Sequence, residues 1–418
     1  MVAWRGPYGA GLTDFPRQVD ALVVGAGPAG SASAALLAEA GFSVLAVDRA
    51  EFPRDKPCAE YMSPEAVRIL TRFGIVETLE RAGAAALEGM KITGIHGATA
   101  HGIFALAGHR PFRPTGLSVS RRILDHALLN VAREAGASIA ERTAVEELLY
   151  ERGAVTGAVL RDGQGRRRSV RARLTVGADG LRSVVARRMG RRTHHRPRRV
   201  AFVAHVSGVR NLGRSAELHF GRNGYMGLNR IGNDLVNVAL VVPAERAKEA
   251  KGRPQDFFRH TLGEFPDAGS RVLAGEIVRP VLVTGPFAAW SGRVAVPGGL
   301  LVGDAADFFD PVTGDGILSA LRGAELVAET MIPALGRPGP VAGEPLRHYQ
   351  RRRRQVFAGK WIMERATRYL MSSPWFFNRS VSRLGRYQDM AHSAIGVAGG
   401  FVPLREVLKP LFLARMVL

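Results

Sequence analysis

Three short stretches of this sequence hold residue types that do chemistry when glycine, carboxylate and backbone N–H groups fall at the right spacing. The first is Gly25-Ala26-Gly27-Pro28-Ala29-Gly30, followed further on by Asp48 and Arg49. G-x-G-x-x-G suits a diphosphate: Gly25 allows a tight turn, Gly27 lets the backbone approach phosphates, and Gly30 lets a helix sit close on a sheet. The anion then faces free N–H groups at the positive end of the helix dipole, and the acid takes a ribose hydroxyl. The second stretch is Gly177-Ala178-Asp179-Gly180-Leu181-Arg182-Ser183. The third is Leu301-Val302-Gly303-Asp304-Ala305-Ala306, continued by Asp310-Pro311-Val312-Thr313-Gly314-Asp315-Gly316-Ile317. There Asp304 suits a ribityl hydroxyl. The N–H groups of Gly316 and Ile317 suit the pyrimidine edge of a flavin, where a helix start stabilises negative charge. Each later stretch alone reads equally as a surface turn. All three, in this order, point to a bound flavin dinucleotide.

The elements that must position these groups are legible nearby. Ala21–Val24 and Ser43–Val47 are short apolar runs of the kind buried on both faces of a parallel sheet. Between them Ser31–Ala40 is rich in helix formers. Arg121–Ala135 carries Leu124, Leu128, Leu129 and Val131 at helical spacing. Residues 143–150 and 155–160 form a hairpin around Arg152-Gly153, and Leu174–Gly177 and Leu300–Val302 return to buried strands. Gly316–Thr330 is a helix. Between about 200 and 290 alternation dominates, in Val200–Val206, Ser215–Phe220, Leu235–Val242 and Glu276–Val283, so this region is mainly antiparallel strand.

The fold expected is α/β: a discontinuous dinucleotide-binding domain of Rossmann type over 19–92, 117–190 and 290–335. An inserted, mainly antiparallel β domain over 93–116 and 191–289 holds substrate. A helical C-terminal region spans 336–418.

Composition narrows the class. The chain has 418 residues, 46% hydrophobic and 23% charged, as soluble globular proteins do. Its single cysteine, Cys58, excludes an intrachain disulfide and a multi-cysteine metal site. The formal net charge is +21, and only six of the 58 basic residues are lysine. Such a charge favours an anionic partner. Nucleic acid is not expected, because no helix-turn-helix, zinc-finger or ribonucleoprotein pattern accompanies the charge. An anionic membrane surface is the alternative. Met1–Gln18 has no signal-peptide core and no run suffices to span a bilayer, so a cytoplasmic protein is expected, with peripheral membrane contact left open.

The three stretches together resemble the geranylgeranyl reductase family of FAD-dependent oxidoreductases, which shares its fold with flavin monooxygenases and halogenases. The likeness covers roughly residues 20–330. It implies FAD contacts at Gly25, Gly27, Pro28, Ala29, Gly30, Asp48, Arg49, Lys56, Arg121, Val145, Asp179, Gly180, Gly303, Asp304, Gly314, Gly316 and Ile317. Phe52–Cys58 resembles the segment beside the isoalloxazine ring. Arg121, four before Asp125, resembles the arginine of the family's R-x-x-F-D helix, with Leu124 in place of Phe. Pro311–Ile317 is similar to the reductase branch's N-P-x-T-G-E-G-I. One departure is Ala59-Glu60-Tyr61, where that branch has Gly-Gly after the cysteine.

The resemblance implies reduction of a carbon–carbon double bond in an apolar, lipid- or isoprenoid-like substrate. The alternative is a monooxygenase or halogenase acting on an aromatic secondary metabolite. Electrons come from NAD(P)H or from a separate reductase, since no second glycine fingerprint is present. The catalytic residues stay unassigned. Cys58, Glu60, Tyr61 and Tyr225 are candidates, each with an ordinary alternative: a buried thiol, an exposed loop, a strand aromatic. His194-His195 reads as a solvated loop, and no metal site is expected. Phe401–Leu418, with Arg405, Lys409 and Arg415, reads either as a basic amphipathic helix at a membrane interface or as a helix covering the protein's own core. The sequence leaves the oligomeric state open.

Overall fold

A computed structural model describes residues 16–190, 192–194, 198–232 and 234–417. Strand β1 (Gln18–Val24) is central in a mixed eight-stranded sheet. It is followed by helix α1 (Pro28–Glu39), strand β2 (Val44–Val47), helix α2 (Arg121–Glu134) and strand β3 (Arg167–Gly177). β1 runs parallel to both β2 and β3, with Val24 opposite Val47 and Gly177. Gly299–Leu301 continues the sheet parallel to β3. The hairpin Ala144–Glu151 and Ala154–Arg161 joins it antiparallel, with Gly157 opposite Arg171.

α1 is buried from Pro28 to Leu37 and consists largely of Ala, Ser and Gly over that stretch. Small side chains let it lie flat between the sheet and its neighbouring helices, so it is apolar on nearly every face. Its carboxyl end is stopped by Gly41, at φ +88.

The second sheet also has eight strands. Its core is β4 (Arg199–Ser207), β5 (Ser215–Gly221), β6 (Gly224–Gly232) and β7 (Leu235–Pro243), ordered β4-β7-β6-β5. Gly89–Thr93 extends it, parallel to β5, and Thr99–Ile103 lies at the edge. Helices α3 (Pro254–Leu262) and α4 (Pro266–Leu273) cover one face through Phe257, Phe258, Leu262 and Val272.

Four expectations change here. The substrate sheet begins at Gly89 rather than 93, because that strand's backbone pairs with β5. The region 200–290 contains α3 and α4, each opened by a proline that tolerates the first helical turn. Glu276–Val283 is two short strands, Glu276–Ile277 and Leu282–Thr284, interrupted around Pro280, which lacks the N–H a ladder needs. His194 is not in a loop: it pairs with Ala289 in a short antiparallel strand, whereas His195 lies outside the described residues.

The C-terminal half is helical: α5 (Gly316–Leu335), α6 (Glu344–Ser372), α7 (Pro374–Arg386), α8 (Gln388–Ala398) and α9 (Pro410–Val417). The single amphipathic helix expected over 401–418 does not form. Pro403 and Pro410 divide it into a 3-10 turn at Leu404–Glu406 and the short α9.

On the helix-covered face of the second sheet, Glu217 and His219 of β5 meet Arg271 of α4. Glu217 Oε2 lies 2.7 Å from His219 Nε2 and accepts from Arg271 Nη2 at 2.5 Å. Burial alone raises the Glu217 pKa, but the bonds from His219 and Arg271 prevail and hold it down at about 2. A depressed folded pKa stabilises above the unfolded value and stops doing so as pH falls through the folded one. The stability difference between wild type and Glu217→Gln is therefore expected to be full at pH 7. It should shrink below about pH 4.5 and vanish near pH 2. Chemical denaturation across that range measures it; a difference constant from pH 7 to pH 3 contradicts it.

Candidate functional site

The cavity lies where both sheets and the start of α5 converge. Gly27, Pro28 and Ala29 form one wall, Lys56–Ala59 and Tyr61 another, and Asp304, Gly314, Gly316 and Ile317 a third. The pocket-facing side chains of the second sheet close the fourth side.

The glycines explain the first wall. Gly25 has φ +96, and a Cβ there would lie 2.5 Å from the Ala178 carbonyl oxygen. A Cβ on Gly30 would lie 1.7 Å from the Gly25 carbonyl oxygen and 3.2 Å from Ala178 Cβ. Helix α1 thus starts against the ends of β1 and β3. Gly27 is different: a Cβ there meets only Arg54 Nη2 at 3.7 Å and Arg121 Nη2 at 3.8 Å. Two guanidinium groups face the open turn, beside N–H groups that the first helical turn leaves free. That donor set fits a diphosphate.

Asp48 closes the turn from β2. Its Oδ2 accepts from Ala26 N at 2.8 Å and its Oδ1 from Ala50 N at 2.9 Å. The carboxylate is held rigidly at the strand end, with lone pairs left for a hydroxyl. Asp304 sits on the facing wall, in a 3-10 turn entered through Gly303 at φ +60. Gly316 and Ile317 open α5, whose N-cap residue is Asp315. Ser319 N bonds the Asp315 carbonyl at 2.8 Å, so the preceding N–H groups of that turn lack a helical acceptor. Two helix N-termini therefore open onto one cavity, and the residues present fit FAD: diphosphate at α1, ribityl chain at Asp304, ring edge at α5.

A layer of buried charge holds these walls. Asp125 is fully buried and accepts from Arg121 Nε at 2.6 Å and Nη2 at 2.7 Å. Arg54 Nη1 approaches the same carboxylate at 3.0 Å. Burial alone lowers the Arg121 pKa; Asp125 reverses this and raises it, so the guanidinium stays charged. Burial, then Arg121, lowers the pKa of Lys56 in the cavity wall.

Sequence reading placed the remaining candidates less well. Glu60 is neither exposed nor in the cavity wall. It is 1% exposed at φ +57, with Oε1 accepting from Arg121 N at 2.9 Å and Oε2 2.8 Å from His205 Nε2. It pins the loop and α2 together from behind. Tyr61 does line the cavity, its ring packed against Gly314. Cys58 also lines it, half-buried, with its sulfur accepting from Glu60 N at 3.3 Å. Tyr225 lines the sheet side and donates to Asp310 Oδ1 at 2.5 Å; burial and that carboxylate push its phenol well above the usual value. Val145 packs in the apolar cluster with Leu160 and Ala140, apart from the cavity, because alternation turns it into the core. Arg49 is exposed beside Asp48. The Asp179 carboxylate is spent on its own turn, accepting from Ser183 Oγ and Val184 N at 2.6 Å each. Gly180, at φ +74, forms cavity wall instead.

Three groups had no sequence signal. Glu60 meets His205 across a long stretch of chain. Arg199 Nη1 bonds Asp310 Oδ2 at 2.5 Å. Lys360 of α6 lies 3.4 Å from Asp315 Oδ2 and 3.5 Å from Glu364 Oε1. Each pair joins separate elements, so no local pattern announces it.

Comparison with known proteins agrees with the geometry. Residues 18–261 match the family model described as FAD binding domain. A digeranylgeranylglycerophospholipid reductase of Methanosarcina acetivorans is 31% identical over 346 residues, covering 81% of this chain and 81% of that protein. A menaquinone reductase of Mycolicibacterium smegmatis is 31% identical over 335 residues, 75% of this chain and 76% of its own length. Among solved structures, a flavin-dependent brominase superposes with a TM-score of 0.80 at 20% identity, over 94% of this chain and 99% of that one. That likeness is one of fold.

Gly30 and Gly27 separate packing from binding. Gly30→Val is expected to prevent folding, since its Cβ has no space. Gly27→Val should fold, melt as wild type does and purify colourless, with FAD affinity reduced about 100-fold or more, ~3 kcal/mol. Stoichiometric FAD in folded Gly27→Val contradicts the assignment.

Proposed function

This chain belongs to the geranylgeranyl reductase family of FAD-dependent oxidoreductases, and from that premise we propose that it saturates a carbon–carbon double bond in an isoprenoid-like lipid. The observation that carries the reading is the cavity itself. One half is lined by glycine turns, helix N-termini and arginines that suit FAD. The other half is apolar: Val203, Leu218 and Val241 of the second sheet, with Phe287 from the segment after Leu282–Thr284. A cofactor that transfers hydride supplies the redox chemistry when bound. The chain's own residues orient it, hold its diphosphate and keep water from the apolar half. We assign the electron supply to NAD(P)H bound transiently or to a separate reductase.

The test is anaerobic. Protein reduced with dithionite and given geranylgeranyl-bearing lipids is expected to yield products with two added hydrogens per double bond. No anaerobic conversion, with conversion under air to products carrying oxygen from O₂, would make it a monooxygenase instead.

We further propose that the lipid is reached at an anionic membrane surface. Residues 344–418 hold fourteen Lys and Arg against four Asp and Glu. At the junction of α6 and α7, Tyr369 is 71% and Trp375 69% exposed, with Arg368 and Arg379 each 5.8 Å from these rings. Amphipathic aromatics with flanking cations suit a headgroup layer. No described helix is long and apolar enough to cross a membrane. Flotation with phosphatidylglycerol vesicles is expected, weakening with salt, and replacing both Tyr369 and Trp375 by Ser should lower it about 10-fold. Equal flotation with neutral phosphatidylcholine vesicles, or none with either, contradicts the proposal.

A further inference from the structure

A glycine that a fold requires usually shows why. Its φ is left-handed, or a Cβ would collide with a neighbour. Gly180 shows the first reason and Gly30 the second. Gly27 and Gly316 show neither, and both border the FAD half of the cavity. Gly227 also shows neither, and it lies on the opposite wall. Its φ is outside the left-handed range, and a Cβ there would meet only Leu218 Cδ1, at 3.9 Å. It sits mid-strand in β6, where glycine weakens a sheet. Its neighbour Gly224, by contrast, needs to be glycine: φ is +155, and a Cβ would lie 2.2 Å from the Val241 carbonyl oxygen.

The register shows what the gap at Gly227 opens into. Val203, Ala239, Gly227 and Leu218 face one another in a single row across β4, β7, β6 and β5. All four line the cavity. The two central positions, Ala239 and Gly227, carry the smallest side chains. The next row on one side holds Ala201, Val241 and Tyr225; the next row on the other holds His205, Asn237 and Asn229. The trough between them crosses four strands and is roughly 14 Å long, from a strand spacing of about 4.8 Å. Its floor is apolar, with one polar flank tied to the flavin-side loop: Asn237 Nδ2 donates to the Cys58 and Ala59 carbonyls, both at 3.1 Å, and Asn229 Nδ2 bonds Ser118 Oγ at 2.6 Å.

We propose that Gly227 and Ala239 floor a slot that takes the extended apolar chain of the substrate, and that the missing side chain at Gly227 sets how long a chain is admitted. This rests on the reductase reading and adds the residues that select within its substrate class. The slot runs across the strands, so a bulkier residue at its centre divides it: a short chain still occupies one end, whereas a long chain must cross the block.

The test measures binding, without turnover. Wild type, Gly227→Ala and Gly227→Val, each loaded with oxidised FAD, are titrated by calorimetry with geraniol and with geranylgeraniol. Gly227→Val is expected to keep stoichiometric FAD and to melt at the wild-type temperature or above, because valine favours a strand where glycine does not. Its affinity for geranylgeraniol should fall about 10-fold or more, that for geraniol about 2-fold or less, and Gly227→Ala should lie between. A purely structural role for Gly227 would lower melting and flavin content together. Should Gly227→Val misfold, Ala239→Val is read in its place, with the same split expected. Unchanged geranylgeraniol affinity in a folded, flavin-loaded variant overturns the slot. Wild type that binds neither alcohol overturns the isoprenoid reading, and the slot with it.

Discussion

Everything at this site depends on how closely α1 approaches the sheet. The Gly30 backbone lies so near the Gly25 carbonyl that no side chain fits between them. That contact fixes the axis of α1 at the carboxyl ends of β1 and β3, and with it the direction in which the free N–H groups point. An anion-binding helix terminus is useful only if its dipole is aimed, and here backbone packing does the aiming. α1 is then locked by burial along most of its length, so the turn is preorganised before any ligand arrives.

The opposite walls are held by charge rather than by packing. Asp125 of α2, without solvent contact, holds Arg121 one turn earlier on the same helix and Arg54 from the loop after β2. Glu60 gathers the start of α2 and His205 of the second sheet. A buried carboxylate with one partner removed is costly, so Asp125 staples Arg54 to α2 and Glu60 staples His205 to the start of α2. The apolar half of the cavity needs no such staples, because β4 to β7 already fix its row spacing. The result is a charged, rigid cradle facing a smooth apolar floor.

The cradle was largely legible in the sequence because its geometry is local. Gly25 to Gly30, Asp48, Gly303-Asp304 and Gly314 to Ile317 each occupy one turn, and the residue type states the backbone requirement. What stayed hidden was non-local. Ala59-Glu60-Tyr61 looked like an exposed loop because nothing nearby says that His205 will lie opposite Glu60. Asp179 looked like a ligand-facing acid, yet its nearest donors are those of its own turn. Val145 gave no local signal of its surroundings: its side chain packs with Leu160 and Ala140, neighbours that only the paired strands bring together. Gly227 stood in plain view between Met226 and Leu228, but its empty surroundings exist only once four strands are in register.

The chain also passes repeatedly between the two sheets. Residues 18–47 build the first, 89–103 join the second, 138–177 return to the first, 199–243 make the second's centre, and 299–301 go back to finish the first. Gly89–Thr93 has no parallel partner until β5 has been synthesised. Each sheet therefore waits for a strand made long after its first one. Such long-range pairing makes assembly slow, and a chain cut short before Gly299 would leave the Thr175–Gly177 end of β3 as an uncovered sheet edge, open to association with other chains.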